Sequence, residues 1–251
     1  MISTPISPGG AVEMPGVPNC VVTLAAYNEE DNVAPVVRDI VEMGYLCILV
    51  DDGSDDATAA AASKAGAIVV RHVRNLGQGD AVLTGFRAAL MVKECEVIIE
   101  MDADGQHAPS EIPLFLEEMR KTDMDIVVGS RILGAAQANA DFLRTAFLPH
   151  YTRLINILTG YSMTDALCGF RGFRRVSMEP IATKLDRMLE PQYLAAEMFV
   201  RFSHAGMKVS EVPIHLKPRS SGFSRKGVLR FGFGILKAIV RALFDVRVNS
   251  K

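Results

Sequence analysis

The sequence lacks several features that would each assign it to a protein class. Its 251 residues contain no apolar run near the roughly 18 residues that span a bilayer. The N-terminus has no basic segment followed by an apolar one, so we expect no signal peptide. The four cysteines form no C-x-x-C pair, which predicts small buried side chains in a reducing cytoplasm. No G-x-G-x-x-G follows the first predicted strand, which disfavours a dinucleotide enzyme.

Charge and hydropathy narrow the remaining classes. Lys and Arg number 27 against 29 Asp and Glu, and a net charge of -2 predicts no nucleic-acid partner. The 49% hydrophobic content and a mean hydropathy of +0.20 exclude disorder for most of the chain. Residues 1–18 are instead rich in Pro, Gly and Ser, and we expect them to form a flexible N-terminal arm.

Alternating apolar and amphipathic segments predict an α/β fold. The apolar runs typical of strands are 20–27, 45–50, 67–73, 96–101 and 125–130. The helical segments between them are 28–44, 55–66, 79–93 and 109–121. Short connections between such elements indicate a Rossmann-like, mostly parallel sheet flanked by helices. Further along, the pattern predicts a loop and helix over 134–160, a strand at 170–176, a helix at 190–206 and a strand at 207–218.

Polar segments follow each of the five predicted strands. They are AYNEE, DDGSDD, NLGQG, DADGQH and GSR, in chain order. Ligands of parallel α/β sheets bind at this edge. Turn preferences explain any one segment, but so many carboxylates at one edge would repel each other without a cation. Asp102 and Asp104, with Gln106 as a third oxygen ligand, are the strongest candidates to bind Mg²⁺ or Mn²⁺.

The ordered set of these segments resembles the family 2 inverting glycosyltransferases of the GT-A fold. It is most similar to the dolichol/polyprenyl-phosphate mannose synthase-like group, and CGFRGF at 168–173 and EVPIHLKPRSSGFSR at 211–225 resemble that group's downstream motifs. The resemblance covers roughly residues 20–226. It implies a single GT-A domain over 19–226. It also implies metal-dependent, inverting transfer of a sugar from a nucleotide-diphosphate sugar to a polyprenyl phosphate.

The resemblance further implies roles for individual residues. The donor would be bound by Tyr27, Asn28, Glu29, Asp52, Asn75, Gly77, Gly79 and Asp102. The metal ligands would be Asp102, Asp104 and Gln106. The acceptor phosphate would be held by Arg131, Arg219, Ser224 and Arg225. The residues taking part in the chemistry would be Asp104, Arg131, Asp165 and Arg219.

Some residues depart from the group's pattern or have a second interpretation. Gln78 and Arg225 stand where members of the group often carry Lys. Arg225 keeps the charge of Lys but changes the geometry of its contacts. Asp165 would orient a sugar hydroxyl or help as a base, and the alternative interpretation is that it caps a helix or a turn. Glu197 is predicted to pair with Arg201 four residues on, and His107 to lie at the surface. These last two positions are therefore assigned no role in the chemistry.

Other functions remain open on the sequence alone. A family 2 glycosyltransferase acting on a polysaccharide or a small glycoside would share the same motifs. A phosphatase of the haloacid-dehalogenase type also places Asp-x-Asp-Gly after a strand, although it would have Thr or Val in place of Gln106. A non-enzymatic nucleotide-sugar binder would keep the pocket without needing the metal pair.

The C-terminal segment, residues 227–251, is predicted to be an amphipathic helix and tail. Lys226, Arg230, Lys237 and Arg241 fall in one narrow stripe, and nearly all the other residues are apolar. Such a helix suits the surface of an anionic membrane, and packing on the domain or in a dimer is the alternative. We therefore expect a cytoplasmic protein that binds peripherally to the cytoplasmic face of the membrane, with an oligomer also compatible.

Overall fold

The computed structural model describes residues 19–134, 142–184, 194–217 and 228–249. Within these ranges, strands β1 to β7 are Cys20–Ala26, Leu46–Asp51, Ile68–Arg71, Val97–Asp102, Ile126–Ser130, Arg171–Arg174 and Val209–Pro213. Helices α1 to α8 are Glu30–Glu42, Thr58–Ala65, Gln78–Leu90, Ile112–Lys121, Phe142–Thr159, Arg175–Lys184, Leu194–His204 and Val228–Asn249. The predicted arm at 1–18 and the residues Arg219, Ser224, Arg225 and Lys226 lie outside the described residues.

The described strands form one mostly parallel sheet in the order β3-β2-β1-β4-β6-β5-β7. Strand β1 pairs in parallel with β2 and β4, β2 with β3, and β5 with β7. Strand β6 runs antiparallel between β4 and β5. The five strands predicted from the apolar runs therefore all point the same way, and the predicted α/β sheet is confirmed. Their carboxyl ends and the amino end of β6 meet at one edge.

Helices pack on both faces of the sheet. Successive side chains of a strand point to opposite faces, and in these strands the side chains on both faces are apolar. On one face, the ring of Phe173 in β6 lies 5.0 Å from that of Phe86 in α3 and 5.8 Å from that of Phe202 in α7. On the other face, Gly172 leaves room for α4, since a Cβ there would lie 3.1 Å from Met119 Cε. The cysteines are free and buried or half-buried, as predicted, namely Cys20, Cys47, Cys95 and Cys168.

The segment after β6 differs from the prediction. The predicted strand at 170–176 is shorter in the structure, because helix α6 begins at Arg175 directly after β6. The segment has few apolar residues and contains Pro180, so its sequence has little helical periodicity. Only Met178 and Ala182 of α6 are buried.

A buried ion pair joins β4 to β6. Glu100 and Arg171 are register partners, and Arg171 Nη1 donates to Glu100 Oε2 at 3.1 Å. Burial raises the pKa of Glu100 to about 7, although the nearby guanidinium acts in the opposite direction. The guanidinium of Arg171 also lies over the Phe199 ring of α7, 5.6 Å from its centroid. The pair fixes β6 against the strand that ends at Asp102.

Helix α8 packs on the domain through one face, as the alternative interpretation of the C-terminal segment predicted. The buried residues on this face include Ala238, Ile239 and Ala242. Arg201 of α7 pairs with Glu197 at 2.8 Å and with Asp245 of α8 at 2.9 Å. The predicted Glu197–Arg201 pair is therefore confirmed. Among the described helices, none is long and apolar enough to cross a membrane.

Candidate functional site

Hydrogen bonds join the loops after β1 and β2. Asn28 adopts a left-handed φ of 56°, which Asn tolerates better than most residues. Its backbone N–H donates to Ser54 Oγ at 3.0 Å, and its Oδ1 accepts from the backbone N–H of Asp55 at 3.0 Å. Glu29 is half-buried beside it, and Tyr27 is exposed. The three predicted donor residues of this loop thus stand together at the sheet edge.

Asp52 is buried and organises the loop after β3. Its Oδ1 accepts from the backbone N–H of Leu76 at 2.9 Å and lies 2.7 Å from His72 Nδ1. Its Oδ2 accepts from the backbone N–H of Gly77 at 2.8 Å. The carboxylate therefore shapes the loop that carries the predicted donor residues Asn75 and Gly77 and leads into α3, whose first turn carries Gly79. Contact of Asp52 with the base and ribose stays a prediction, and no sequence pattern indicated His72 as its partner.

A depression of about 350 Å³ opens beside these loops. Its lining residues are Gly53, Ser54, Asp55, Arg71, His72 and Val73. Gly53 has a φ of 73°, and a Cβ there would lie 2.5 Å from the backbone carbon of Arg74. Only glycine therefore allows the loop after β2 to pack directly on the loop after β3. The Arg71 guanidinium is held by Asp51 at 2.9 Å and by the Ser54 carbonyl at 2.7 Å.

The predicted metal-binding turn follows β4. Asp102, Asp104 and Gln106 are half-buried, and Asp102 Oδ1 accepts from Gln78 Nε2 at 3.2 Å. Asp104 Oδ1 accepts from the backbone N–H of Gln106 at 3.0 Å. The segment before β6 lies against the turn, since a Cβ on Gly169 would be 2.7 Å from Asp102 Oδ2. The structure thus places Asp102, Asp104 and Gln106 in one turn at the carboxyl end of β4, and their role as metal ligands stays a prediction.

The chemistry of these donors fits a hard divalent cation. Among the described residues, no group of three or more His, Cys, Asp and Glu side chains is arranged to hold a metal by itself. Asp102 and Asp104 supply two carboxylates, and Mg²⁺ usually completes its shell with water and substrate phosphates. Glycine at 169 avoids crowding the Asp102 carboxylate. The residues present therefore fit a cation that is bound jointly with a diphosphate.

His107 is buried, and the surface position predicted for it is wrong. Its Nδ1 accepts from the backbone N–H of Asp102 at 3.4 Å, and its Nε2 lies 3.9 Å from Cys168 Sγ. Its ring centroid is 5.2 Å from that of Phe170. Burial lowers the pKa of His107, which favours the neutral ring that an accepting Nδ1 requires. His107 therefore joins the turn after β4 to the segment before β6.

Arg131 and Asp165 form a bidentate pair at the carboxyl end of β5. Arg131 Nε donates to Asp165 Oδ2 at 2.5 Å, and Nη2 donates to Oδ1 at 2.7 Å. Burial alone would lower the pKa of Arg131, but the hydrogen bonds and charge of Asp165 outweigh burial and raise it. Two residues predicted separately for the chemistry are thus direct partners. Both oxygens of Asp165 are engaged by Arg131, and the roles of sugar orientation and base stay predictions.

Comparison with known proteins gives a consistent result. The family model described as Glycosyl transferase family 2 matches residues 21–181. The chain is 29% identical to the dolichyl-phosphate hexose transferase of Haloferax volcanii, over 91% of this chain and 95% of that protein. It is 31% identical to the undecaprenyl-phosphate mannosyltransferase of Micrococcus luteus, over 80% of this chain and 85% of that protein. The fold matches that of glucosyl-3-phosphoglycerate synthase from Mycobacterium tuberculosis, which was crystallised with Mn²⁺, uridine-diphosphate and glucosyl-3-phosphoglycerate. The TM-score is 0.66 at 19% identity, and the match covers 92% of this chain and 80% of that protein.

Proposed function

We propose a specific reaction for this chain, which belongs to glycosyl transferase family 2 and has the GT-A fold. The reaction is the inverting transfer of a sugar from a nucleotide-diphosphate sugar to a polyprenyl phosphate, with Mg²⁺ or Mn²⁺ as cofactor. Family membership makes the chain a glycosyltransferase, so the phosphatase and the non-enzymatic binder are set aside. The proposal is carried by one observation, the Arg131–Asp165 pair at the same sheet edge as Asp102 and Asp104.

On this proposal, the donor lies along the loops after β1, β2 and β3. The depression beside Arg71 and Ser54 offers polar groups next to a rigid backbone, which suits the nucleoside end of the donor. The diphosphate would reach Asp102 and Asp104, which would hold the divalent cation, and the charge of that cation would balance the charge that grows on the leaving group. Gln78 would then steady Asp102 from the donor side.

The acceptor phosphate would be bound by arginines rather than activated by a strong base. A phosphate monoester is already anionic at neutral pH, so its position matters more than its deprotonation. A guanidinium binds phosphate oxygens in bidentate fashion, and the pair with Asp165 engages Nε and Nη2 of Arg131 without using Nη1. The predicted partners of Arg131 in this role are Arg219, Ser224 and Arg225. Lys217 precedes these residues in the chain, and its backbone N–H donates to the Gln106 carbonyl at 2.8 Å. The segment that leads to them therefore starts beside the turn after β4.

A panel of nucleotide sugars tests the reaction. With Mn²⁺ and a short polyprenyl phosphate, we expect GDP-mannose, UDP-glucose or a UDP-N-acetyl sugar to give a product heavier by one sugar, read by mass spectrometry. Chelation by EDTA should abolish the product, and NMR should find the anomeric configuration inverted. The matched control is the polyprenyl alcohol, which lacks the phosphate. Transfer to a polysaccharide or small glycoside, with none to the polyprenyl phosphate, would favour the alternative acceptor class.

We also propose that α8 brings the enzyme to the cytoplasmic face of the membrane, where a polyprenyl acceptor is reached. Leu236, Val240 and Phe244 are spaced four residues apart, so they share one face of the helix. They are 48%, 43% and 67% exposed, and Lys237 and Arg241 are exposed beside them. An apolar face bordered by basic side chains suits an interfacial helix on anionic lipid.

Vesicle flotation tests this membrane contact. Val240→Glu combined with Phe244→Glu should weaken binding to anionic vesicles about tenfold or more, because two apolar side chains no longer enter the interface. Both side chains are exposed, so the fold should survive the change. Val176→Glu, at an exposed apolar position of α6, is the matched control and should float like the unmodified protein. Equal flotation of all three proteins would remove α8 from the membrane contact.

A further inference from the structure

Glu211 of β7 binds the turn that carries Asp165. Its Oε2 accepts from the backbone N–H of Thr164 at 2.7 Å and from the Thr164 hydroxyl at 2.9 Å. Its Oε1 accepts from the backbone N–H of Asp165 at 2.9 Å. The Thr164 hydroxyl also lies 2.6 Å from Ser130 Oγ, which accepts from the backbone N–H of Leu133 at 3.1 Å. The ends of β5 and β7 are thereby joined to the Asp165 turn.

The contacts of Glu211 continue to Arg131 through Asp165. Asp165 is buried, and its carboxylate accepts from the Arg131 side chain and, at 3.2 Å, from the Arg131 backbone N–H. The hydrogen bonds of Glu211 and those between Asp165 and Arg131 each involve a charged group. Such hydrogen bonds are roughly twice as strong as those between neutral groups. The Glu211 carboxylate is satisfied by backbone and hydroxyl donors, so it holds the turn without competing for the guanidinium.

We infer that Glu211 is a positioning residue for Arg131. It fixes the Thr164–Asp165 turn, and Asp165 in turn fixes the direction of the guanidinium. The inference rests on the proposed function for the identity of the group that Arg131 binds, an acceptor phosphate. Outer partners of this kind typically change affinity or activity by 10- to 100-fold in metal sites, and about tenfold is the scale expected at this site.

The chain offers a matched control at the opposite end of the same strand pair. Asp125 precedes β5, and its Oδ2 accepts from the backbone N–H of Lys208, just before β7, at 2.7 Å. Asp125→Asn and Glu211→Gln therefore make the same chemical change to a carboxylate that accepts backbone N–H groups beside the β5–β7 pair. Only the second change lies at the edge that carries Arg131.

Steady-state kinetics test the inference. Glu211→Gln should raise the KM for polyprenyl phosphate about tenfold and change the donor KM less than about twofold, because an amide cannot accept all three hydrogen bonds. Asp125→Asn should leave both KM values within about twofold. In an Arg131→Lys background, Glu211→Gln should add little to an acceptor KM that is already raised, because both changes act through one group. Equal effects on donor and acceptor, or effects that multiply in the Arg131→Lys background, would overturn the inference.

A spectroscopic measurement separates this inference from the proposed function. In protein labelled with ¹⁵N-arginine, the Arg131 Nε–H signal is identified by its loss in Arg131→Lys. Its exchange with water should be slow in the unmodified protein and in Asp125→Asn, and about tenfold faster in Glu211→Gln. Thr164→Val, which removes only the hydroxyl contact, should give a smaller acceleration if Glu211→Gln fails to fold. Unchanged exchange in these variants overturns the positioning role, whereas faster exchange in an enzyme inactive on polyprenyl phosphate overturns the proposed acceptor alone.

Discussion

Asp104→Asn is expected to lower kcat/KM for sugar transfer by about 10²- to 10³-fold while leaving the fold intact. The neutral amide removes one of the two charges that would balance a divalent cation, so the leaving diphosphate loses stabilisation in the transition state. The Asn side chain keeps an oxygen that can accept from the backbone N–H of Gln106, as Asp104 does at 3.0 Å. Transfer rates at saturating Mn²⁺ measure the loss of activity. The midpoint of thermal unfolding measures whether the fold is intact.

The control for this variant is an exposed aspartate far from the sheet edge. Asp39 lies on the exposed face of α1, and Asp39→Asn should keep full activity. A Mn²⁺ titration in the presence of a nucleoside diphosphate should give weaker binding for Asp104→Asn and unchanged binding for Asp39→Asn. Full transferase activity of Asp104→Asn would contradict the metal assignment outright.

The sequence predicted those parts of the fold and site that depend on neighbouring residues. A continuous apolar run followed by Asp102 and Asp104 is enough to place both carboxylates at the end of a buried strand, and the structure agrees. The position of β6 could not be predicted in this way. It pairs antiparallel with β4, and its contact between Glu100 and Arg171 joins residues 71 positions apart. Nothing in the pattern of either strand indicates the other as its partner.

The side-chain partners within the site depend on the same long-range packing. The residues next to His107 in the sequence show no periodic apolar pattern that would indicate burial. His107 is buried because Cys168 and Phe170, from a distant segment of the chain, pack against it. Arg131 and Asp165 are 34 residues apart, and each was assigned a role without the other. The role of Glu211 likewise follows only from the pairing of β7 with β5. Motifs therefore predicted which edge of the sheet would carry the site, whereas the structure shows which side chains at that edge contact one another.

Arg131→Met is expected to abolish detectable transfer and to lower the free energy of unfolding by roughly 3 kcal/mol. The substitution leaves the Asp165 carboxylate buried without its cationic partner, and removing one member of a buried ion pair is strongly destabilising. Methionine is unbranched and apolar, so it fills much of the space of the arginine stem and limits the loss from packing. On the proposed function, transfer should fail for a separate reason, because no guanidinium would remain to bind the acceptor phosphate. Urea denaturation and the transfer assay measure the two effects independently.

Replacing both partners separates stability from activity. Arg131→Met combined with Asp165→Asn leaves no buried charge, so the free energy of unfolding should return to within about 1 kcal/mol of the unmodified protein. Transfer should stay lost, because the double variant still has no guanidinium at this position. Recovery of transfer in the double variant would contradict the role of Arg131 at the acceptor. Equal instability of the single and double variants would assign the loss to packing, and would mean that the Asp165 carboxylate tolerates burial without Arg131.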